Sequence, residues 1–294
     1  MMKIKKGEIA IIYHRNCLDG FGAAWSAWKK FKNKAVYLSA EHQVNNAAID
    51  NLTGKETIYL LDFGYQTTDK IKQLTKNNQN VILIDHHMSQ KPFLPFYTKS
   101  IYNENHSGAV LAWQYFHPKK PLPKLLKYIE DYDLWKFKIP HTKELMACLD
   151  VHKMDFSFWQ KIVRDFELAK TRRKYLEEGR IIIKYQNQII KRLINYAEKI
   201  SFAGYSALAV NSPILVSEIG NLLSQKSKTF AVVWRYKKGG IEVSLRSSAG
   251  QVDVSRIAAK YGGGGHQAAA GFMIYPNKKL SSKNNLNFLW RKTK

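Results

Sequence analysis

The 294-residue chain carries 47 basic and 23 acidic side chains, which gives a net charge of +24, and 45% of its residues are hydrophobic. A chain of this length usually divides into two domains, because single cores rarely grow beyond about 250–300 residues. It has no apolar run near the roughly 18 residues of a membrane span, no signal-peptide pattern and only two cysteines, so a cytoplasmic protein without a disulfide framework is expected.

Three apolar segments in the first half of the chain are predicted as buried strands, and each runs directly into side chains that can bind a metal ion. Helices are predicted between them, at Phe21–Trp28 and Thr67–Asn78. A βαβ series of this kind forms a parallel sheet whose strand ends meet at one edge. The strands and the residues that follow them are Glu8–Tyr13 with His14, Thr57–Leu61 with Asp62, and Val81–Ile84 with Asp85, His86 and His87.

Two further helices, Ser107–Phe116 and Lys124–Ile129, are predicted ahead of a group of carboxylates beside Trp135. The carboxylates of interest are Asp131 and Asp133. They can be solvated side chains at a helix end, or one of them can supply a further metal ligand.

The second half of the chain divides into a connector and a second domain. Residues 1–155 are predicted as an N-terminal parallel-sheet α/β domain and 156–200 as a charged helical connector, with Gly179 either breaking the helix or tolerated inside it. Residues 201–276 are predicted as a smaller C-terminal α/β domain and 277–294 as a basic tail. The elements predicted for this C-terminal domain are a strand at Ala207–Val210, a helix at Ser217–Ser227, a hairpin of Thr229–Tyr236 and Ile241–Ser247, and a helix at Val254–Tyr261.

Four consecutive glycines, Gly262 to Gly265, precede His266 in this second domain. Glycines allow a backbone to approach a ligand closely, and successive exposed N–H groups form a seat for an anion. Together with Arg246, which can pair with phosphate oxygens, this loop is predicted to hold the phosphate of a substrate. A flexible linker is the alternative interpretation.

The donors at the predicted sheet edge are carboxylates and imidazoles, a set that favours Mn²⁺ or Mg²⁺ over structural zinc. A carboxylate shared at the middle strand can bridge two ions about 3.5–4 Å apart, the spacing that suits phosphoryl transfer. The positive net charge fits a polyanionic substrate such as nucleic acid, although compositional bias explains it equally well.

Taken together, these segments resemble the DHH phosphoesterases that carry a DHH-associated C-terminal domain, a family of exonucleases, oligoribonucleases and cyclic-dinucleotide phosphodiesterases. The likeness follows the family's order over nearly the whole chain and is closest to the small oligoribonuclease-type members. The matching pieces are His14-x-x-x-x-Asp19-Gly20, Leu61-Asp62, Asp85-His86-His87, an Asp in the 131–133 region followed by Leu134-Trp135, and Gly262-Gly263-Gly264-Gly265-His266.

The resemblance implies two Mn²⁺ ions in an N-terminal Asp/His domain, with Mg²⁺ as the alternative ion, and a C-terminal domain that binds substrate. Asp62 is expected to bridge the ions and His87 to contact the scissile phosphate, with Asp85 as a further catalytic residue. Asp131 is preferred to Asp133 as the last ligand because it lies at the end of the predicted helix. The implied metal ligands are His14, Asp19, Asp62, His86 and Asp131, and the implied substrate contacts are Arg246, Gly264, Gly265 and His266.

The first motif departs from the family at one position. An Asp-x-Asp pair is usual there, and the earlier aspartate is replaced by Cys17 in this chain. Because a thiol is a poor substitute for a hard carboxylate, the ion on the His14 side is expected to be held more weakly than the ion on the Asp19 side.

The leading functional prediction is a Mn²⁺-dependent phosphodiesterase that shortens single-stranded RNA or DNA oligomers to mononucleotides. The alternative within the fold is hydrolysis of a cyclic (di)nucleotide or of 3′-phosphoadenosine 5′-phosphate. An alternative from another class is a nucleic-acid-binding protein with a degenerate site, suggested by Cys17 and the charge. Whether the chain forms a homodimer is left open.

Overall fold

The computed structural model describes residues 9–41, 47–237, 239–248, 251–275 and 291–292. It divides into two compact units, Met1–Ile183 and Lys184–Lys294, which are described separately below. The predicted basic tail, 277–294, lies outside the described residues except for 291–292. Among the described residues, no helix is long and apolar enough to cross a membrane.

The first unit contains a five-stranded sheet in which every neighbouring pair is parallel, in the order β2-β1-β3-β4-β5. This confirms the predicted parallel α/β domain. The three central strands, β1, β3 and β4, are largely buried, which is why they are nearly continuous apolar runs. They are β1 (Ile9–His14), β2 (Ala35–Ala40), β3 (Thr57–Leu61), β4 (Asn80–Asp85) and β5 (Lys99–Tyr102).

Helices cover both faces of this sheet. One face packs on α1 and α4, where small residues such as Ala23 and Ala27 bring α1 close to the strands, and the other packs on α3 through Ile71 and Leu74. Burial of these apolar faces is the main source of stability of the layered arrangement. The helices up to this point are α1 (Leu18–Phe31), α2 (Ala47–Asp50), α3 (Thr68–Asn77) and α4 (Gly108–Phe116).

Four more helices complete the first unit and lead into the second. Buried Trp159 and Phe166 of α7 join the core that α1, α4, α5 and α6 form. Helix α8 runs without interruption through Gly179, so this glycine is an interior residue and not a break. A Cβ at that position would lie only 1.8 Å from the backbone oxygen of Glu144 in α6, which explains the glycine as a close helix crossing. The helices are α5 (Lys124–Asp133), α6 (Thr142–Asp150), α7 (Phe156–Glu167) and α8 (Ala169–Leu193).

The second unit is a mixed seven-stranded sheet in the order β10-β11-β9-β8-β7-β6-β12, with β7 and β8 parallel and the other pairs antiparallel. Helix α9 (Val216–Ser227) packs on one face and α10 (Val254–Lys260) on the other. This confirms the predicted smaller α/β domain. Its strands are β6 (Glu198–Phe202), β7 (Tyr205–Asn211), β8 (Phe230–Lys237), β9 (Gly240–Ser247), β10 (Gly264–His266), β11 (Ala269–Ile274) and β12 (Arg291–Lys292).

Candidate metal centre

The carboxyl ends of β1, β3 and β4 meet at one edge of the first sheet. His14 is the last residue of β1, Asp62 directly follows β3, and Asp85 is the last residue of β4. Tyr13 is paired with Leu61 and Leu61 with Ile84, so the residues that follow lie side by side across the sheet. Parallel open sheets bind their ligands at this edge.

Asp62 lies between two histidines. Its Oδ2 is 3.4 Å from Nδ1 of His14, and its Oδ1 is 3.2 Å from Nε2 of His86. The residue is 1% exposed and has a φ of +52°, a left-handed conformation that is unfavourable for a residue with a side chain and is found mostly at functional sites. The two oxygens of one buried carboxylate therefore face two different ligand groups.

Asp19, in the first turn of α1, accepts hydrogen bonds from the first two residues of helix α4. Its Oδ2 accepts a hydrogen bond from the N–H of Gly108 at 2.6 Å and its Oδ1 one from Ala109 at 2.9 Å. Nε2 of His86 lies 3.7 Å from the same Oδ2. A Cβ at Gly108 would lie 2.7 Å from Cβ of Asp62 and 2.9 Å from Oδ2 of Asp19, so only glycine fits. The sequence analysis did not identify Gly108, and its position directly after the helix-capping Ser107 was the available signal.

Asp85 and His87 form a hydrogen-bonded pair. Oδ1 of Asp85 lies 2.7 Å from Nδ1 of His87 and also accepts the backbone N–H groups of His86 and His87. Burial would lower the pKa of His87, but the Asp85 carboxylate outweighs it and the pKa is raised. Asp85 therefore orients His87 and favours its protonated form.

The geometry favours Asp133 over Asp131 as the last ligand. The carboxylate of Asp131 accepts hydrogen bonds from Lys138 N, Ile139 N and Thr142 Oγ1, so it holds the turn after α5 and not the cluster. Oδ2 of Asp133 lies 3.5 Å from Nε2 of His86. We therefore replace Asp131 by Asp133 in the proposed ligand set.

Three carboxylates thus surround His86, which leaves an excess of acidic groups in this cluster. Burial raises the pKa of Asp19 well above its usual value, and the neighbouring Asp62 and Asp133 raise it further. At Asp62, burial also favours the neutral form, but the neighbouring imidazoles of His14 and His86 hold its pKa well below the usual range. Burial opposes a charge on His86, yet the surrounding carboxylates raise its pKa to about 10. The positively charged imidazole of His86 therefore offsets part of the negative charge of these carboxylates. A divalent ion would offset more of it.

Cys17 lies at the N-terminus of α1, and its Sγ belongs to one group of three donors together with His14 and Asp62. Burial raises the pKa of this thiol well above its usual value, and the Asp62 carboxylate raises it further. The position predicted to weaken the ion on the His14 side therefore belongs to the same cluster.

The residues present fit divalent ions. Asp62 Oδ1, Asp85 Oδ2 and Asp133 Oδ2 are buried oxygens without a hydrogen-bond partner in the described part of the chain, and leaving such atoms unsatisfied is costly. The donors form two overlapping groups, one around His14 and Asp62 and one around His86. Oxygen and imidazole donors of this kind bind Mn²⁺ or Mg²⁺.

The predicted substrate residues lie in the second unit, on the face of the sheet that carries α9. Arg246 on β9 and His266 on β10 are both opposite Ala269 of the intervening β11, so they point to the same face two strands apart. Arg246 donates to Ser217 Oγ and to the Leu245 carbonyl. The sheet register therefore groups Arg246 with the Gly264–His266 strand.

The glycines of this second group have structural reasons of their own. A Cβ at Gly263 would lie 2.1 Å from the Gly271 oxygen, and one at Gly265, whose φ is +141°, would lie 2.5 Å from the Ala269 oxygen. The hairpin itself therefore requires glycine at these two positions, which the sequence analysis did not anticipate.

Comparison with known proteins supports the arrangement. Residues 8–128 match the DHH family, N-terminal domain, and residues 200–286 match the DHHA1 domain. The chain is 31% identical over 283 residues to an uncharacterized protein of Acanthamoeba polyphaga mimivirus, an alignment that covers 89% of this chain and 66% of that protein. About a third of the viral protein therefore has no counterpart in the alignment.

Two more distant similarities agree with these matches. Oligoribonuclease NrnB of Bacillus subtilis (strain 168) is 22% identical over 292 residues, covering 90% of this chain and 72% of that protein. The crystal structure of an exopolyphosphatase-related protein from Bacteroides fragilis superposes with a TM-score of 0.54 at 14% identity, covering 93% of this chain and 88% of that one. At this identity the structural match shows a shared fold alone.

Proposed function

Because the chain belongs to the DHH family and carries a DHHA1 domain after its DHH domain, we propose that it is a Mn²⁺-dependent phosphodiesterase that hydrolyses short single-stranded oligonucleotides to mononucleotides. The observation that carries the proposal is the position of Asp62, whose two carboxylate oxygens face His14 and His86 separately. A shared carboxylate of this kind is what a two-ion phosphoryl-transfer site needs.

In this proposal His14 and Cys17 would hold one ion, Asp19, His86 and Asp133 would hold the other, and Asp62 would contribute to both. Bound divalent ions supply Lewis-acid polarisation of a phosphoryl oxygen and lower the pKa of a water nucleophile. The N–H groups of Gly108 and Ala109 hold Asp19 in one orientation, which keeps its donor atoms in place.

His87 is the proposed contact to the scissile phosphate. Asp85 holds its Nδ1, which assigns Nε2 to the substrate. A protonated imidazole donates a hydrogen bond to a phosphate oxygen, and it can pass a proton to the oxygen that leaves. The Asp85 carboxylate raises the pKa of His87 and so favours this protonated form.

An aromatic group next to Asp133 supports a nucleotide substrate. Trp135 is 37% exposed, and its ring lies 4.7 Å from that of Phe137. Both residues have positive φ, +55° and +48°, and the lysines Lys136 and Lys138 alternate with them. Nucleobases stack on exposed aromatic rings while lysines attract the phosphates, and this combination binds single strands without sequence preference. The name of the Bacillus subtilis relative, an oligoribonuclease, is consistent with this class of substrate.

Hydrolysis of end-labelled RNA from dinucleotide to pentanucleotide in Mn²⁺ tests the proposal, with Asp62→Asn as the inactive control. Wild type should remove one nucleotide at a time, and the surviving label gives the direction. Trp135→Ala should raise KM for trinucleotides by about tenfold, since one stacked base contributes about 1–3 kcal/mol, and should leave KM for a monomeric phosphoester unchanged.

Two results would contradict the proposal. Turnover of cyclic dinucleotides or 3′-phosphoadenosine 5′-phosphate, with no turnover of linear oligomers, would replace the substrate class. Tight oligonucleotide binding without hydrolysis of any phosphoester would indicate the degenerate binding protein.

A further inference from the structure

We propose that Cys148, His152 and Glu178 form a zinc site that is separate from the metal centre. Cys148 lies on α6, His152 in the turn that follows this helix, and Glu178 on α8. Their donor atoms all lie within 4.8 Å of one another. Nε2 of His152 is 3.8 Å from Sγ of Cys148 and 3.8 Å from Oε1 of Glu178.

The geometry fits a tetrahedral ion. Donors bound to zinc at about 2.0–2.3 Å are separated from one another by about 3.3–3.7 Å. The two separations from Nε2 of His152 exceed this by a few tenths of an ångström at most, and the Glu178 side chain, which is 47% exposed, can move to bring its carboxylate closer to Cys148. One thiolate, one imidazole and one carboxylate form a soft-to-borderline set that selects zinc over Mn²⁺ or Mg²⁺. Water can fill the fourth position.

The surroundings hold the donors in place. Cys148 is fully buried, and its Sγ is hydrogen-bonded to Nε2 of His152. The ring centroid of His152 is 5.3 Å from that of Phe158 and 6.3 Å from that of Tyr175. The backbone of α6 meets α8 at Gly179, the residue after Glu178. Zinc would replace the thiol proton, which leaves to solvent, and would tie α6 to α8 at this crossing.

Cobalt substitution in a single-thiol background tests the site. Because the chain has two cysteines, Cys17→Ser leaves Cys148 as the one thiol that can give a cobalt–thiolate charge-transfer absorption. The full-length Cys17→Ser protein, kept in excess Mn²⁺ to occupy the metal centre, should show this absorption when Co²⁺ is added and lose it when Zn²⁺ is added. Cys17→Ser/Cys148→Ser should not show it.

A second variant keeps the test decisive if the loss of Cys148 impairs folding. Glu178 lies on the exposed side of α8, so Cys17→Ser/Glu178→Gln should fold as judged by circular dichroism. We expect it to bind Zn²⁺ at least about tenfold more weakly in competition with a chromophoric chelator. Absence of the absorption in the Cys17→Ser protein, or an unchanged zinc affinity in the Glu178→Gln variant, would overturn the proposal. Neither readout depends on hydrolytic activity.

Discussion

The metal centre of the first unit and the glycine hairpin of the second, residues 262–274, contain the two clearest motifs of the sequence, yet they differ in how their polar groups are satisfied. At the metal centre, buried oxygens of Asp62, Asp85 and Asp133 have no hydrogen-bond donor among the described residues, and Asp62 has a strained backbone. In the glycine hairpin, Gly263 and Gly265 are explained by contacts within the hairpin.

This difference indicates that the metal centre needs a ligand, whereas the glycines of the hairpin are needed for folding. Unpaired buried oxygens and like charges are stabilised only by something that binds, so substitutions there should change binding and catalysis more than folding. Glycines that a hairpin needs for close backbone contact should affect folding first. Three predictions test this contrast.

The largest effect is expected from the pair Asp133→Asn and Asp131→Asn. Asp133→Asn should lower kcat/KM at least about a hundredfold, because an ion that supplies several kcal/mol of charge stabilisation is held less well. Its melting temperature without metal should be unchanged or slightly higher, since one of three neighbouring carboxylates is neutralised. Activity assays and calorimetric Mn²⁺ titration measure both properties.

Asp131→Asn is the matched control for that variant. It removes the charged acceptor of three hydrogen bonds in the turn after α5, so it should lower the free energy of unfolding by about 1–3 kcal/mol. Mn²⁺ affinity should stay near that of wild type. A folded Asp131→Asn protein that no longer binds Mn²⁺ would restore Asp131 as the ligand and refute our correction.

An intermediate effect is expected when a Cβ is added in each region. Gly108→Ala should reduce activity by about tenfold to a hundredfold, because its Cβ would displace Asp62 and Asp19 and small misplacements of catalytic groups are costly. Gly263→Ala should lower the free energy of unfolding by about 1–3 kcal/mol through overpacking. Thermal unfolding and steady-state kinetics should separate the two variants. If Gly263→Ala folds at wild-type stability and loses activity, the contrast between the regions fails.

The smallest effect concerns Cys17. Cys17→Asp should strengthen binding of the weaker Mn²⁺ ion by about tenfold, or about 1.4 kcal/mol, since a carboxylate suits a hard ion better than a thiol does. Cys17→Ser should give no such gain. Calorimetric titration measures both ions. Two tightly bound Mn²⁺ ions in the wild-type protein would show that the thiol does not weaken the site.

Local pattern was enough to predict much of this protein. Apolar runs that end in His14, Asp62 and Asp85 predict parallel strands, and parallel strands bring their ends together whatever the details of packing. The order of motifs along the chain was likewise sufficient for the family resemblance.

Choices between nearby residues depended on the tertiary structure. Asp131 and Asp133 are two positions apart, and residues with that spacing point to opposite sides of a helix. Which side meets His86 depends on how α5 packs against α4 and α6, and not on the helix pattern itself. The need for glycine at Gly108 and Gly179 arises in the same way, from backbone and side chains that are distant in sequence.

The sequence alone therefore determined which side chains lie at the strand ends, the two-domain order and the family, because these follow from periodicity and from motif spacing along one chain. The tertiary structure decided that Asp133 joins the cluster, that Asp85 orients His87, and that Cys148 meets Glu178. Each of these depends on contacts between elements, and the geometry of such contacts is set by packing that no local sequence pattern encodes.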